Sequence, residues 1–246
     1  FAGILFSVLS LAKLMQYLLT WHPIETWAFF FGLIVASVIF IGKGVEKWRG
    51  KDYLMYVLGI ALGVVICTLS PTTTPDALWF IFISGAIAIC AMILPGISGS
   101  FILLILGKYQ FIMGVISDLT SGINLVENII VIGVFGIGAV VGLLSFSKFL
   151  HWLLEKYQRQ TILVMVGFIT GSLVKVWPWS NMEAIAQSQF PELADLPSDV
   201  IIETLPGFMN QIEMHYAGAI ITAIIGFSLI TGIEMAGKII AKKREE

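Results

Sequence analysis

Long apolar runs dominate the chain and restrict what it can fold into. Only 12% of the residues are charged, about half the share in a soluble domain, and the mean hydropathy is +0.94. A helix needs about 20 apolar residues to cross the hydrocarbon core of a bilayer. Runs of about this length lie at 2–20, 24–42, 53–70, 125–147, 161–177 and 216–237. The sequence therefore predicts an all-α integral membrane protein.

The charged residues are concentrated in the connections between these runs. Basic residues lie at 43–51, at 156–159 and in the tail at 238–244, whereas the stretch 178–215 contains six acidic residues and neither lysine nor arginine. By the positive-inside rule the basic connections and the C-terminus are cytoplasmic, and 178–215 is an extracytoplasmic loop. No basic stripe indicates a nucleic-acid partner, and no spacing of histidine or cysteine indicates a metal or a cofactor.

A further apolar run, 77–117, is interrupted by the motif Pro-Gly-Ile-Ser-Gly-Ser at 95–100. A proline inside a helix costs about 3 kcal/mol, and in lipid every freed backbone group needs a new partner. Lys108 follows Ser100 by eight residues, about 12 Å of helix rise. We therefore expect a re-entrant hairpin over 77–117, with the motif at its tip and Lys108 at the outer interface among lipid headgroups. Two full crossings fit the charge pattern equally well.

An internal repeat gives a second strong signal. Residues 9–38 align without a gap with residues 144–173, at an offset of 135, and nine of the thirty positions are identical. The predicted directions of the two segments are opposite, which is typical of the inverted repeats of secondary transporters. The predicted first repeat is 1–76, with three transmembrane helices and its own hairpin upstream of Phe1. The second is 77–246, with the hairpin 77–117, the loop 178–215 and transmembrane helices at 125–150, 161–177 and 216–237.

Several of these segments resemble one family of membrane proteins. They are the motif with its flanks at 93–101, the segment 104–109, the Ser145 and Lys148 pair, and the glycines and serine at 167–172. Together they are similar to the polyprenyl-phosphate transporter family, known as domain of unknown function 368, over roughly 1–178 and 216–240. Two departures are evident: the family's first copy of the motif is absent, and the acidic connection 178–215 is longer than expected.

The resemblance implies a protein of the bacterial inner membrane that returns undecaprenyl phosphate from the outer to the inner leaflet, and not an enzyme. One alternative is an undecaprenyl-pyrophosphate phosphatase, which also has a Pro-Gly-x-Ser motif in re-entrant hairpins. That family places an arginine after the serine, whereas Gly99 follows Ser98 here. Transport of a small anion is the other alternative, which composition alone leaves open.

The motif supplies the groups that a buried phosphate needs. The hydroxyls of Ser98 and Ser100 can donate hydrogen bonds or cap a helix, and Gly96 and Gly99 let the backbone approach an anion closely. Pro95 ends the preceding helix so that these groups are free. The competing interpretation is a structural kink packed against another helix.

Two lysines and three carboxylates complete the candidate site. Lys148 and Lys13 occupy the same position of the repeat and could neutralise the phosphate, although a lysine near a helix end also commonly snorkels to the interface. The candidates for ion coupling are Glu234, Asp118 and Glu127. Glu234 can instead pair with a lysine one turn later, and the other two could be solvated loop carboxylates.

Three Gly-x-x-x-Gly pairs predict close helix packing. They lie at 59–63, 138–142 and 167–171. We expect contacts within the chain rather than dimer seams, although a homodimer remains a prediction.

Overall fold

The computed structural model describes residues 2–45, 47–70, 74–193, 196 and 198–245. Every regular element among them is helical, which confirms the all-α prediction. The α-helices are α1 (Ala2–Trp21), α2 (Pro23–Lys43), α3 (Gly50–Thr68), α4 (Leu78–Ile93), α5 (Gly99–Ile105), α6 (Tyr109–Thr120), α7 (Leu125–Ser172), α8 (Met182–Gln189), α9 (Ser198–Phe208) and α10 (Tyr216–Glu245), with a turn of 3-10 helix at Pro191–Leu193.

Four of the described helices are long and apolar enough to cross a membrane: α2, α3, α7 and α10. Helix α7 has 48 residues, about 72 Å of rise and more than twice the thickness of a hydrocarbon core. It is broken at Tyr157, where the backbone leaves helical geometry (φ −134°, ψ 40°). Its two arms, 125–156 and 158–172, correspond to two of the predicted apolar runs. The protein is therefore a multi-pass membrane protein.

The chain divides into two compact units, and unit 1 comprises residues 1–43 and 173–246. In unit 1, α2 packs along α10. The acidic segment 178–215, expected as a loop, contains α8, the 3-10 turn and α9, and its Ile185, Leu193 and Ile212 form an apolar core with Ile24 of α2. Because these side chains are fully or almost fully buried, the segment is a folded cap on the ends of α2 and α10.

Unit 2 comprises residues 44–172 and is built around α7. Helix α3 packs on the second arm of α7, and α4 packs on the first arm. Glycines line both seams, and a Cβ at Gly138 or Gly142 would collide with the backbone of Phe82 or Ala86 in α4. This confirms the prediction that the glycine pairs serve close packing within the chain.

The same hydrogen bonds recur at the offset of 135. Thr26 Oγ1 donates to the carbonyl of Leu18 at 3.2 Å and to that of His22 at 2.6 Å. Thr161 Oγ1 donates to the carbonyls eight and four residues before it, at 3.3 and 2.9 Å. Both threonines thus satisfy carbonyls at a helix break, after α1 in unit 1 and at Tyr157 in unit 2. The division into two repeats stays a prediction, which this recurrence supports.

Candidate functional site

The broken apolar run folds as a hairpin with arms of unequal length. The first arm is α4 and the returning arm is α5. The two arms are in close contact at Gly99, where an added Cβ would touch Ala88 and Met92 of α4. Helix α5 has seven residues, about 10 Å of rise, and cannot cross a hydrocarbon core of about 30 Å. Helix α6 then bends away by 108°. The hairpin is therefore re-entrant in form, but its returning arm is shorter than the predicted 77–117 hairpin implied.

The base of the hairpin is closed by side chains from both arms. Thr74 Oγ1 donates to the carbonyl of Leu106 at 2.5 Å. The ammonium of Lys108 contacts Asp76 Oδ1 at 2.5 Å and the carbonyl of Thr74 at 2.9 Å. Since Lys108 is 1% exposed, the expectation that it lies among lipid headgroups is wrong.

The returning arm begins beside the second half of α4. Helix α5 begins beside Ala88, ten residues from the start of α4 at Leu78. Helix α4 has 16 residues, about 24 Å of helix rise, which is less than a hydrocarbon core of about 30 Å. Neither arm of the hairpin is therefore long enough to cross the hydrocarbon core on its own.

Each motif residue has a distinct local role. Helix α4 ends at Ile93, and its cap Leu94 is extended (φ −75°, ψ 128°), as the residue before a proline prefers. Gly96 has φ +99°, which disfavours any residue with a Cβ. Its Cα faces the buried Ser172 of α7, whose hydroxyl a Cβ would approach to 2.9 Å. The motif is therefore held against the second arm of α7.

The two motif serines meet at the start of α5. Ser98 is the N-cap, and its hydroxyl accepts a hydrogen bond from the Phe101 N–H at 3.2 Å and lies 3.1 Å from the Ser100 hydroxyl. Both serines are exposed and, with Leu104 and Tyr109, line a shallow cleft of about 190 Å³. Among the described residues, no group accepts the N–H of Gly99 or Ser100. The hydroxyls of Ser98 and Ser100 thus line one cleft, at the N-terminal end of α5 where these two amides have no acceptor among the described residues.

Comparison with known proteins identifies the family. A family model described as undecaprenyl phosphate translocase-like matches residues 1–193. The chain belongs to the undecaprenyl phosphate translocase-like family. A polyprenyl-phosphate transporter of Vibrio cholerae is 37% identical over 238 residues, which cover 95% of this chain and 73% of that protein. A polyprenyl-phosphate transporter of Staphylococcus aureus is 35% identical over 188 residues, which cover 72% of this chain and 66% of that protein. No solved structure matches.

These names place the chain among transporters rather than enzymes. The translocase-like family and both relatives are named for the movement of a lipid phosphate. The resemblance drawn from the motif and its flanking residues is confirmed.

Lys148 lies at the depth of the motif. Helices α4 and α7 run in parallel, since Gly138 faces Phe82 and Gly142 faces Ala86. Six residues further along each helix, Lys148 is level with Met92, which contacts the start of α5. Lys148 is exposed and has no hydrogen-bond or ion-pair partner among the described residues. The structure brings together Gly96, Ser98, Gly99 and Ser100, and it sets Lys148 on the adjacent helix.

The remaining candidates lie elsewhere. Lys13 is exposed on α1, in unit 1. Glu234 forms the expected pair with Lys238, at 3.6 Å. Asp118 is half-buried near the end of α6, and Glu127 is exposed in the first turn of α7. Sequence reasoning missed Ser172 and Tyr109 as neighbours of the motif, because their contacts come from distant segments and no local pattern predicts them.

Proposed function

We propose that the chain moves undecaprenyl phosphate across the bacterial inner membrane, with the phosphate bound at the hairpin tip. The cluster of two exposed hydroxyls beside two unpaired amides at the start of α5 carries this proposal, and the proposal places this cluster within the membrane. A phosphate offers several acceptor oxygens and no donor, which matches a site that presents donors. The family and the substrates in the names of its two relatives support the same conclusion.

The geometry favours an anion over a neutral ligand. Gly96 is exposed and adopts a positive φ, so the backbone there can approach a phosphate without an intervening side chain. In a low dielectric these hydrogen bonds to a charged oxygen are strong. Lys148 supplies the nearest positive charge on α7, and Pro95 keeps α4 from continuing into the site. Lys13 would serve the equivalent position of the other repeat.

Translocation would follow from alternating access. In the proposed mechanism the phosphate sits at the hairpin tip, the polyprenyl tail stays in lipid, and rocking of the two inverted repeats exposes the site to one leaflet and then to the other. The C-terminus is cytoplasmic and the acidic cap is extracytoplasmic. Glu234, Asp118 and Glu127 are the candidates for ion coupling. A homodimer would use surfaces other than the glycine seams, which are filled within the chain.

The test is transport in proteoliposomes. The full-length protein should move undecaprenyl phosphate between leaflets, and Ser98→Ala should slow this by at least about tenfold, as expected when a hydrogen bond to a charged group is lost. Ser98→Thr keeps the hydroxyl and the cap and should retain transport. Ser117→Ala, an exposed serine of α6, is the matched control. Lys148→Ala should also slow transport.

Three outcomes would contradict the proposal. Unchanged transport in both Ser98→Ala and Lys148→Ala would remove the phosphate from this site. Release of inorganic phosphate from undecaprenyl pyrophosphate would assign the phosphatase function instead. Uptake of a soluble anion without movement of the lipid phosphate would assign the small-anion function.

A further inference from the structure

Lys108 is buried in a polar and aromatic cage at the base of the hairpin. Its side chain is 1% exposed, and its ammonium contacts Asp76 Oδ1 at 2.5 Å and the Thr74 carbonyl at 2.9 Å. The ring centres of Phe80 and Phe111 lie 5.5 and 5.4 Å from the ammonium. The ammonium thus contacts a carboxylate and a backbone carbonyl and lies over two aromatic rings.

These contacts join segments that are distant in sequence. Asp76 and Thr74 precede α4, whereas Lys108 follows α5, and the parallel bond from Thr74 to the Leu106 carbonyl links the same two segments. The closed base therefore fixes where the returning arm ends. Only seven helical residues separate this base from the Ser98 cap, so a shift at the base displaces the serines by a similar distance.

Burying an ammonium is costly in itself. Removing a charge from water is repaid only when its partners are well placed, and in some proteins a buried polar or ionic group fixes register while adding little stability. Asp76 is 63% exposed, so the carboxylate half of the pair is solvated and adds little stability. An apolar residue at position 108 would fill the same cage without the charge. The contacts of Lys108 are therefore better explained by the geometry that they impose than by the stability that they add.

We propose that Lys108 is a positioning residue for the phosphate site: by clasping Asp76 and Thr74 it holds α5 in register with α4 and so keeps Ser98 and Ser100 converged. This inference rests on the proposed function. It assigns no contact between Lys108 and the phosphate. The Lys108 contacts and the motif lie at opposite ends of the seven-residue helix α5.

The test measures ligand binding and local stability in the same variants. Full-length protein in nanodiscs is titrated with undecaprenyl phosphate, and amide exchange is followed over residues 99–105. Lys108→Met and Asp76→Asn should each weaken binding by at least about tenfold, as the loss of one hydrogen bond to phosphate would, and should speed exchange in α5. Lys43→Met, an exposed lysine above the Phe40 ring, should change neither.

A second variant separates positioning from general destabilisation. In a background without Cys67 and Cys90, Thr74→Cys and Leu106→Cys are joined by a short thiol cross-linker, with and without Lys108→Met. Restored binding and slow exchange in the cross-linked protein support positioning. Binding that stays weak after cross-linking, or wild-type binding and exchange in Lys108→Met, would overturn it.

The two proposals fail in different ways. If the unmodified protein does not bind undecaprenyl phosphate, the proposed function fails. The exchange measurement needs no ligand and decides separately whether Lys108 holds α5. If binding is tight and does not change in Lys108→Met, only the proposed positioning role of Lys108 fails.

Discussion

The seam between α2 and α10 in unit 1 and the seam between α3 and the second arm of α7 in unit 2 are built alike. Each contains an equivalent pair of glycines whose missing Cβ makes room for a carbonyl of the facing helix: Gly32 at Ala223 and Gly226 at Phe29 in unit 1, and Gly167 at Tyr56 and Gly59 at Val164 in unit 2. The unit 2 seam has two more such glycines, Gly63 and Gly171. The glycines of α2 and α7 lie 135 residues apart, and those of α3 and α10 lie 167 apart. One packing solution is used twice.

The two seams differ at one end. In unit 2, Arg159 donates to Asp52 Oδ2 from Nη2 at 2.6 Å and from Nε at 3.1 Å. In unit 1, the equivalent positions are Ile24 and Ala219, which are buried in the apolar core beneath the cap. The seam therefore tolerates either an ion pair or an apolar pair at this end, and the structure that covers the helix ends decides which one is used. In unit 2, where a turn covers the helix ends, the pair is ionic. In unit 1, where the folded cap covers them, the pair is apolar.

The largest expected effect comes from filling a glycine position. Gly32→Ala and Gly167→Ala each force a Cβ onto a backbone carbonyl that cannot move independently. We expect each to destabilise the protein by about 3 kcal/mol, which lowers Tm by roughly 6 to 12 °C in a thermal unfolding assay in detergent. Gly133→Ala, whose added Cβ meets nothing within 4 Å, is the control. A much smaller loss at one of the two positions would break the equivalence of the seams.

The next effect separates the two ends. Asp52→Ala or Arg159→Ile alone leaves one partner of the ion pair uncompensated and should lower Tm by several degrees. The double variant carries the same residue types as unit 1 and should recover a large part of that loss, because it leaves no buried Asp52 carboxylate without a partner. Additive losses in the double variant would mean that the end of the unit 2 seam requires charge.

The smallest effect is on pH dependence and is confined to the capped end. His215 lies before α10, and its hydrogen bond to Glu25 at 2.9 Å, with Glu213 also close, raises its pKa above the ordinary 6.5. A raised pKa in the folded protein gives stability that is present below the unfolded value and is lost as pH rises through the folded one. Protection of the cap amides should therefore fall as pH rises above about 6.5.

His215→Gln should abolish this pH dependence. The end held by Arg159 should show no such change, because arginine stays protonated throughout this range. Equal pH dependence at both ends would contradict the assignment to His215.

The helices were largely predictable because each apolar run is long and local. The run 24–42 corresponds to α2 (Pro23–Lys43), and 53–70 to α3 (Gly50–Thr68). The cap was not predicted, since the apolar residues that form its core, such as Ile185 and Ile212, are scattered among acidic residues and become a core only by folding onto α2. Short helices with mixed composition carry little periodic signal.

The site was predictable in part for the same reason. A proline, glycines and serines within six residues mark a broken helix and its cap, and Ser98 is the N-cap. The setting of Lys108 was missed because its partner Asp76 lies 32 residues earlier. A lysine at the end of a short helix normally indicates an interface, and only a contact between distant segments reveals a buried one.

The burial of Lys108 also gives the hairpin a chemical signature. Amine-acylating reagents need a free amine that they can reach, so the exposed Lys43 should be modified in the folded protein while Lys108 is spared. If the base of the hairpin stays shut while the tip changes its access, Lys108 will remain unmodified in protein that is actively turning over. Modification that accumulates with turnover would instead record each opening of the base, and mass spectrometry of the digested protein would count those openings.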